Sequence, residues 1–317
     1  MDALNRFCVN IEGVNIPKFF SEECFRSALL FKPKPHDIII VTYPKCGTTW
    51  MQNLVLNILR RGKSLDKPSD FYLASPFLDQ LGAKDSENMM IRPGCYKTHL
   101  PLHKVPWSEE AKYIYVARNP RDCCVSFYHH MKDLPGYQFA DGTFEEFFDL
   151  FVKGETEFGE FFDHLIPWYN IRASNNVFFT TFEEMKSDLK KLTIEVAKFI
   201  DENEAKYLND NPDILERILH NCTFGEMKKF INDGLSYLYN VKNKDSLAEL
   251  PKGRQHIISY VETLPKQKDC KLNFLRKGEI GSWKQELTPD QNEIFNTLIA
   301  EKTKGSNVMT LWKTSMG

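Results

Sequence analysis

Residues 38–50 read Ile-Ile-Ile-Val-Thr-Tyr-Pro-Lys-Cys-Gly-Thr-Thr-Trp, and this stretch decides the fold. Ile38 to Val41, four β-branched residues bounded by Asp37 and Pro44, predict a short strand buried on both faces, as in a parallel sheet. Beyond the loop, Met51, Leu54, Val55, Ile58 and Leu59 recur at helical spacing, and Gly62 ends the helix. Tyr43 to Trp50 therefore links a strand to a helix N-terminus, where backbone N–H groups and the helix dipole favour an anion. Gly47 lets the backbone approach a ligand, Thr48 and Thr49 add hydroxyls, and Lys45 adds positive charge. The pattern is not GxxxxGK[ST], because Lys45 precedes the glycine. An ordinary βα turn capped by threonine is the plainer alternative. The agreement of strand, loop chemistry and helix favours the anion site.

Working outward, Tyr113–Ala117 predicts a second buried strand, followed by Asn119-Pro120 and a helix through Met131. Val177–Thr181 predicts a third. Between them Phe144, Phe147, Phe148 and Phe151 form one helical face, and Phe158, Phe161, Phe162 and Leu165 another, which reads as core packing. Strand and helix in alternation predict an α/β fold, a central parallel β-sheet flanked by helices, with residues 1–317 as a single domain. The polar stretch Asn232–Leu272 predicts a lid-like insert or binding loop.

Composition narrows the function. With 41 basic and 43 acidic residues, formal charge is −2, which argues against a polyanion-binding surface and so against nucleic acid as partner. No apolar run approaches the roughly 18 residues that span a bilayer. Met1 to Ile16 shows no signal-peptide core, so a soluble, cytoplasmic protein is expected. The 8 cysteines are scattered without a CxxC pair, which suits reduced thiols. No metal site is expected: Pro101 separates His99 from His103, and the adjacent His129 and His130 diverge on a helix.

Two further basic turns stand where ligands bind in open α/β sheets. Arg118-Asn119-Pro120-Arg121-Asp122 follows the second strand, with Ser126 one helical turn on, and Arg276-Lys277-Gly278 precedes Glu279-Ile280-Gly281-Ser282-Trp283-Lys284. Three separated anion sites imply a ligand with more than one phosphate-like group, on whose base Trp50 and Phe224 can stack.

These motifs together resemble the cytosolic sulfotransferase family. YPKCGTTW stands where the family usually has YPKSGTTW, VARNPRDCCVS matches its 3′-phosphate segment, and RKGEIGSWK stands where it has RKGxxGDWK. The resemblance implies a P-loop-like sulfotransferase fold and the cofactor 3′-phosphoadenosine 5′-phosphosulfate, whose product is 3′-phosphoadenosine 5′-phosphate (PAP), with no metal. It implies that Lys45, Cys46, Gly47, Thr48, Thr49 and Trp50 hold the 5′-phosphosulfate and stack the adenine. Arg118, Ser126, Arg276, Lys277 and Gly278 are implied to grip the 3′-phosphate, and Phe182, Thr223 and Phe224 to border the adenine. His99, in YKTHLP, matches the family's catalytic histidine. A neutral imidazole of pKa about 6.5 can take the proton of a phenol as the S–O bond forms. Lys45 and Lys97 are implied to neutralise charge at the reacting end.

Several positions depart from the family. Cys46 replaces the loop serine, and a thiol beside Lys45 at a helix N-terminus is a candidate for acidification and oxidation. Phe182 stands for a common tyrosine, Cys222 for a threonine, and Ser282 for the Asp of GDW, read as structural. Of the family's dimer motif KxxxTVxxxE, Lys284, Thr288 and Glu293 fit, but Pro289 replaces the valine, leaving monomer or homodimer open.

The expected acceptor is a small molecule, a phenol or a phenolic amine such as dopamine, in an aromatic pocket drawn from Phe20, Phe77, Tyr137, Phe139 and Trp168. Asp133 or Asp141 would pair with an ammonium; two solvated loop carboxylates are the plainer alternative. A hydroxysteroid or alcohol acceptor and a non-catalytic nucleotide-binding protein are the other readings. A nucleotide kinase lacks Walker spacing here, and a Golgi carbohydrate sulfotransferase would carry an N-terminal anchor.

Overall fold

The computed structural model describes residues 4–239, 247–265 and 274–313. Four parallel strands, β3 (Ile38–Val41), β4 (Tyr96–Thr98), β5 (Lys112–Ala117) and β6 (Val177–Thr181), form a sheet in the order β4-β3-β5-β6. The β-branched run is strand β3, buried along its whole length, with Ile39 opposite both Tyr96 and Tyr113. Strand β4 was not expected; three residues are too few to show a period. A hairpin of β1 (Cys8–Ile11) and β2 (Val14–Pro17) pairs antiparallel outside this sheet.

Both sheet faces are covered. One cluster joins Ile38, Ile40, Ile114 and Val116 to the helix Thr48–Leu59, and the other joins Ile39, Val41, Tyr113 and Tyr115 to the phenylalanine-rich helices. Phe147, Phe148, Phe161 and Phe162 are buried there, as their spacing predicts. Phe158 leaves its expected helix, which begins only at Phe161; its own φ is +62° and its N–H donates to Asn15 O on the hairpin. Two expected pocket residues are core instead. Phe139 is 1% exposed and packs edge-on against Phe7 at 5.2 Å, and Trp168 stacks on Tyr115 at 5.2 Å.

The described residues of the polar stretch are largely helical rather than loop. Residues 232–239 continue the helix Phe224–Tyr239, and Lys252–Thr263 is a second helix with Ile257 and Ile258 buried. Residues 240–246 and 266–272 of the expected insert lie outside the described residues. No helix among the described residues is long and apolar enough to cross a membrane.

Pro289 has a local explanation. It opens the helix Pro289–Lys302 at the first helical position, where its missing N–H costs nothing, and Thr288 caps that helix by accepting from Gln291 N.

Candidate functional site

The chain passes from β3 to β4 on one side and then crosses to β5 on the other, so β3 and β5 part at a switch point. A cavity of about 490 Å³ opens beyond the carboxyl ends of these strands. Its walls bring together Lys45, Gly47, Thr48, Thr49, Trp50, Lys97, His99, Arg118 and Ser126 with Phe182, Thr223, Phe224, Arg276, Lys277 and Gly278. Phe20, Phe77, Asp133 and Tyr137 line it as well, whereas Phe139, Trp168, Asp141 and the Cys46 side chain do not.

The strand-loop-helix turn is built for an anion. Gly47 is the N-cap of the helix Thr48–Leu59 at φ +102°, and no side chain caps that end. A Cβ on Gly47 would stand 2.9 Å from the Phe182 ring. Lys45 holds a left-handed φ of +68°, a strained conformation for a non-glycine residue. Its ammonium donates to His130 Nδ1 at 3.2 Å and lies 4.7 Å from the centre of the Phe274 ring. Burial, with Lys97 and Arg118 nearby, pulls Lys45 down to about 7. Burial also holds His130 well below the usual imidazole range, so it accepts as a neutral ring.

Cys46 corrects the expectation of an acidic thiol. Its Sγ is buried 3.7 Å from Cys123 Sγ and faces Pro44 O, and burial drives its pKa well above the ordinary value. Desolvation there outweighs the helix dipole.

Arg118 ties the anion-binding turns together. It donates from Nη1 to Lys45 O and from Nη2 to Glu279 O, both at 3.0 Å, and lies 4.4 Å from the centre of the Phe182 ring. Its Nε, and Nε1 of Trp50, are buried without a protein partner. Two orphaned donors on the cavity wall fit a phosphate-bearing nucleotide. Gly278 completes the cradle: at φ +64° it meets the Phe224 ring so closely that a Cβ would lie 2.8 Å from it. Asp122 takes no part in an Arg118 ion pair; it accepts from Gly281 N, Ser282 Oγ and Trp283 N, which makes Ser282 a structural donor.

His99 follows β4 and is 7% exposed. Its Nδ1 lies 2.7 Å from Thr42 O, and a carbonyl only accepts, so Nδ1 carries the hydrogen and Nε2 keeps its lone pair. Burial, with Lys97 next, holds the imidazole well below its ordinary value. The rings of Phe77 and Phe158 meet it edge-on at 5.1 and 5.3 Å. Its backbone N–H donates to Asp79 Oδ2 at 2.7 Å, and Thr98 Oγ1 donates to Asp79 Oδ1 at 2.6 Å. Burial lifts Asp79 to about 6 despite these bonds.

Lys97 lies 3.9 Å from the centre of the Phe77 ring and is lowered to about 8, chiefly by burial. Glu157, 5% exposed, accepts from Tyr137 Oη at 2.7 Å and is pushed up to about 7 by burial. Asp79, His130, Glu157 and Arg254 are site residues that sequence reasoning missed. Only the His129-His130 pair stands out in the sequence, as two rings expected to diverge on a helix and hold no metal.

The description "Sulfotransferase domain" belongs to the family model that matches residues 35–256 and 254–307. Over 293 residues the chain is 30% identical to sulfotransferase 1C2 of Rattus norvegicus, covering 88% of this chain and 86% of that one. Over 291 residues it is 31% identical to sulfotransferase 1B1 of Canis lupus familiaris, covering 88% and 87%. In fold it resembles mouse sulfotransferase SULT7A1, crystallised in complex with PAP, at a TM-score of 0.70 and 24% identity, covering 98% of this chain and 99% of that one.

Proposed function

The chain belongs to the sulfotransferase family and is an enzyme dependent on 3′-phosphoadenosine 5′-phosphosulfate, and from that premise we propose that it sulfates the hydroxyl of a small phenol with His99 as general base. One observation carries the reading. The His99 tautomer fixed by Thr42 O keeps a basic Nε2 on the same cavity as the anion-binding turns.

The bound cofactor supplies an activated sulfuryl group. The uncapped helix end at Thr48 and Thr49, with Lys45, binds its 5′ end. Arg118, Ser126, Arg276, Lys277 and Gly278 hold the 3′-phosphate, and Trp50, Phe182, Thr223 and Phe224 flank the adenine. Cys46 contributes only main chain. Phe20, Phe77, Tyr137 and Phe158 position the acceptor ring and exclude water. His99 Nε2 takes the hydroxyl proton, and Thr42 O receives the Nδ1–H that stabilises the resulting imidazolium. Lys45 and Lys97 oppose the negative charge at the reacting end. An acceptor ammonium would face Glu157 or Asp133, which supports phenolic amines within this class.

Transfer of radiolabel to a panel of phenols, catecholamines and hydroxysteroids tests the reading. Phenols should be labelled, and His99→Ala should lower kcat by roughly 10²–10⁴-fold with PAP binding retained. Dopamine should exceed catechol in kcat/KM, and Glu157→Gln should remove the difference. A His99→Ala variant as fast as wild type would end the general-base assignment.

A further inference from the structure

Arg254 stands on the helix Lys252–Thr263. It is 8% exposed and its side chain lines the cavity. Among the described residues its guanidinium meets no carboxylate and no hydrogen-bond acceptor, and it lies 5.4 Å from the centre of the Tyr72 ring. Its nitrogens are open to the cavity, so an anionic group on a ligand would find donors there that no protein acceptor has claimed. The field of Arg254 also reaches Lys97, another cation, and an anion between them would relieve that repulsion.

A second polar group on that wall lacks a partner too. Gln80 is 6% exposed and lines the cavity, and its Oε1, buried without a donor, would accept from an O–H or N–H of the ligand rather than meet its anion. Gly253 fixes Arg254 beside it: a Cβ on Gly253 would come within 1.9 Å of Gln80 O, so the two segments are in direct backbone contact. The helix bearing Gln80 also carries Asp79 and begins directly after Phe77, so this wall belongs to the His99 end of the cavity. Glu157, by contrast, already has Tyr137 as donor and both lysines near it.

We propose that Arg254 reads an oxyanion on the acceptor, in the simplest case a carboxylate carried away from the reacting hydroxyl. The substrate class then extends to phenols bearing an acid on this wall, beside the amines that Glu157 or Asp133 would face. This rests on the sulfotransferase reading of the same cavity and adds to it. The same guanidinium chemistry would suit the sulfuryl oxygens of the donor, and the experiment separates the two sources.

The probes are 3-(4-hydroxyphenyl)propionate and its methyl ester, which differ by the charge and one methyl group. Wild type should favour the acid, and Arg254→Gln should cut the acid-to-ester ratio of kcat/KM at least tenfold through KM of the acid, with Arg254→Lys restoring part of it. An unchanged ratio overturns the proposal. So does an equal fall in kcat for both probes, which puts Arg254 on the sulfuryl group. Calorimetry of the acid on PAP-loaded protein decides the matter independently of turnover: a tenfold loss of affinity in Arg254→Gln supports the proposal, and equal affinity overturns it. Transfer to the ester without acid selectivity leaves the sulfotransferase reading standing while this one fails.

Discussion

Lys45 and Lys97 show how far burial can retune a side chain at the scale of one residue. Their ammonium groups sit at about 7 and about 8, below the ordinary lysine range, because each is desolvated and each feels other cations. An arriving anion relieves that repulsion and favours the charged forms, so both values rise when PAP binds. The protein should therefore take up protons on binding at pH 7.5–8.5, approaching one per lysine. Affinity should fall as pH climbs through this window, by roughly tenfold per unit for one titrating group. Calorimetry in buffers of different ionisation enthalpy reads the uptake directly, and heats independent of buffer would contradict it. The cavity-lining cations were legible in the sequence because their motifs are local: Lys45 lies in YPKCGTTW and Arg118 follows a strand. Asp79, Glu157 and Arg254 were not, since each belongs to an unremarkable segment and gains its meaning only from what the fold sets opposite it.

Among elements, a strand was as legible as its length and branching allowed. Ile38–Val41 and Val177–Thr181 carry β-branched or aromatic residues over four or five positions and occur with the expected bounds. Tyr96–Thr98 is too brief for a pattern, and only its neighbour β3 defines it. The helix Lys252–Thr263 was hidden differently: Ile257, Ile258 and Val261 keep helical spacing, but the polar residues around them mask it. Its seat against the helix Leu78–Met89 depends on Gly253, which allows backbone contact with Gln80. Gly253→Ala should force the helix away or overpack the contact, costing about 1–3 kcal/mol and lowering KM-based selectivity before folding is lost. Chemical denaturation together with acceptor KM would measure it; wild-type values for both would count against the contact.

At the scale of the whole molecule, a parallel sheet covered on both faces followed from the alternation of strands and helices, while the order β4-β3-β5-β6 did not. Sheet order depends on which crossover lies on which side, and no local pattern encodes it. The order matters because it separates the loops after β3 and β5, and Arg118 then bridges them through Lys45 O and Glu279 O. A nucleotide held by all of these turns should stabilise the entire fold rather than one loop. At 100 times its dissociation constant, PAP should add about 2.7 kcal/mol, a rise in Tm of about 4 °C for a chain of this length. Arg118→Ala should abolish most of that rise, and scanning fluorimetry reads both; an undiminished shift in the variant would refute the bridging role.

The backbone contact between Gly253 and Gln80 also bears on how such an enzyme can change. Gln80 is the neighbour of Asp79, and Asp79 holds the main chain of His99. Choice of acceptor and speed of reaction thus share one mechanical linkage. A lineage that reshapes the helix at residues 252–263 to admit a new molecule disturbs, three residues of contact away, the imidazole proposed as general base. New specificity at this wall should then arrive first as a slower enzyme, regained later by compensating changes near residue 79, whereas changes on the Phe20 and Tyr137 side are free of that toll.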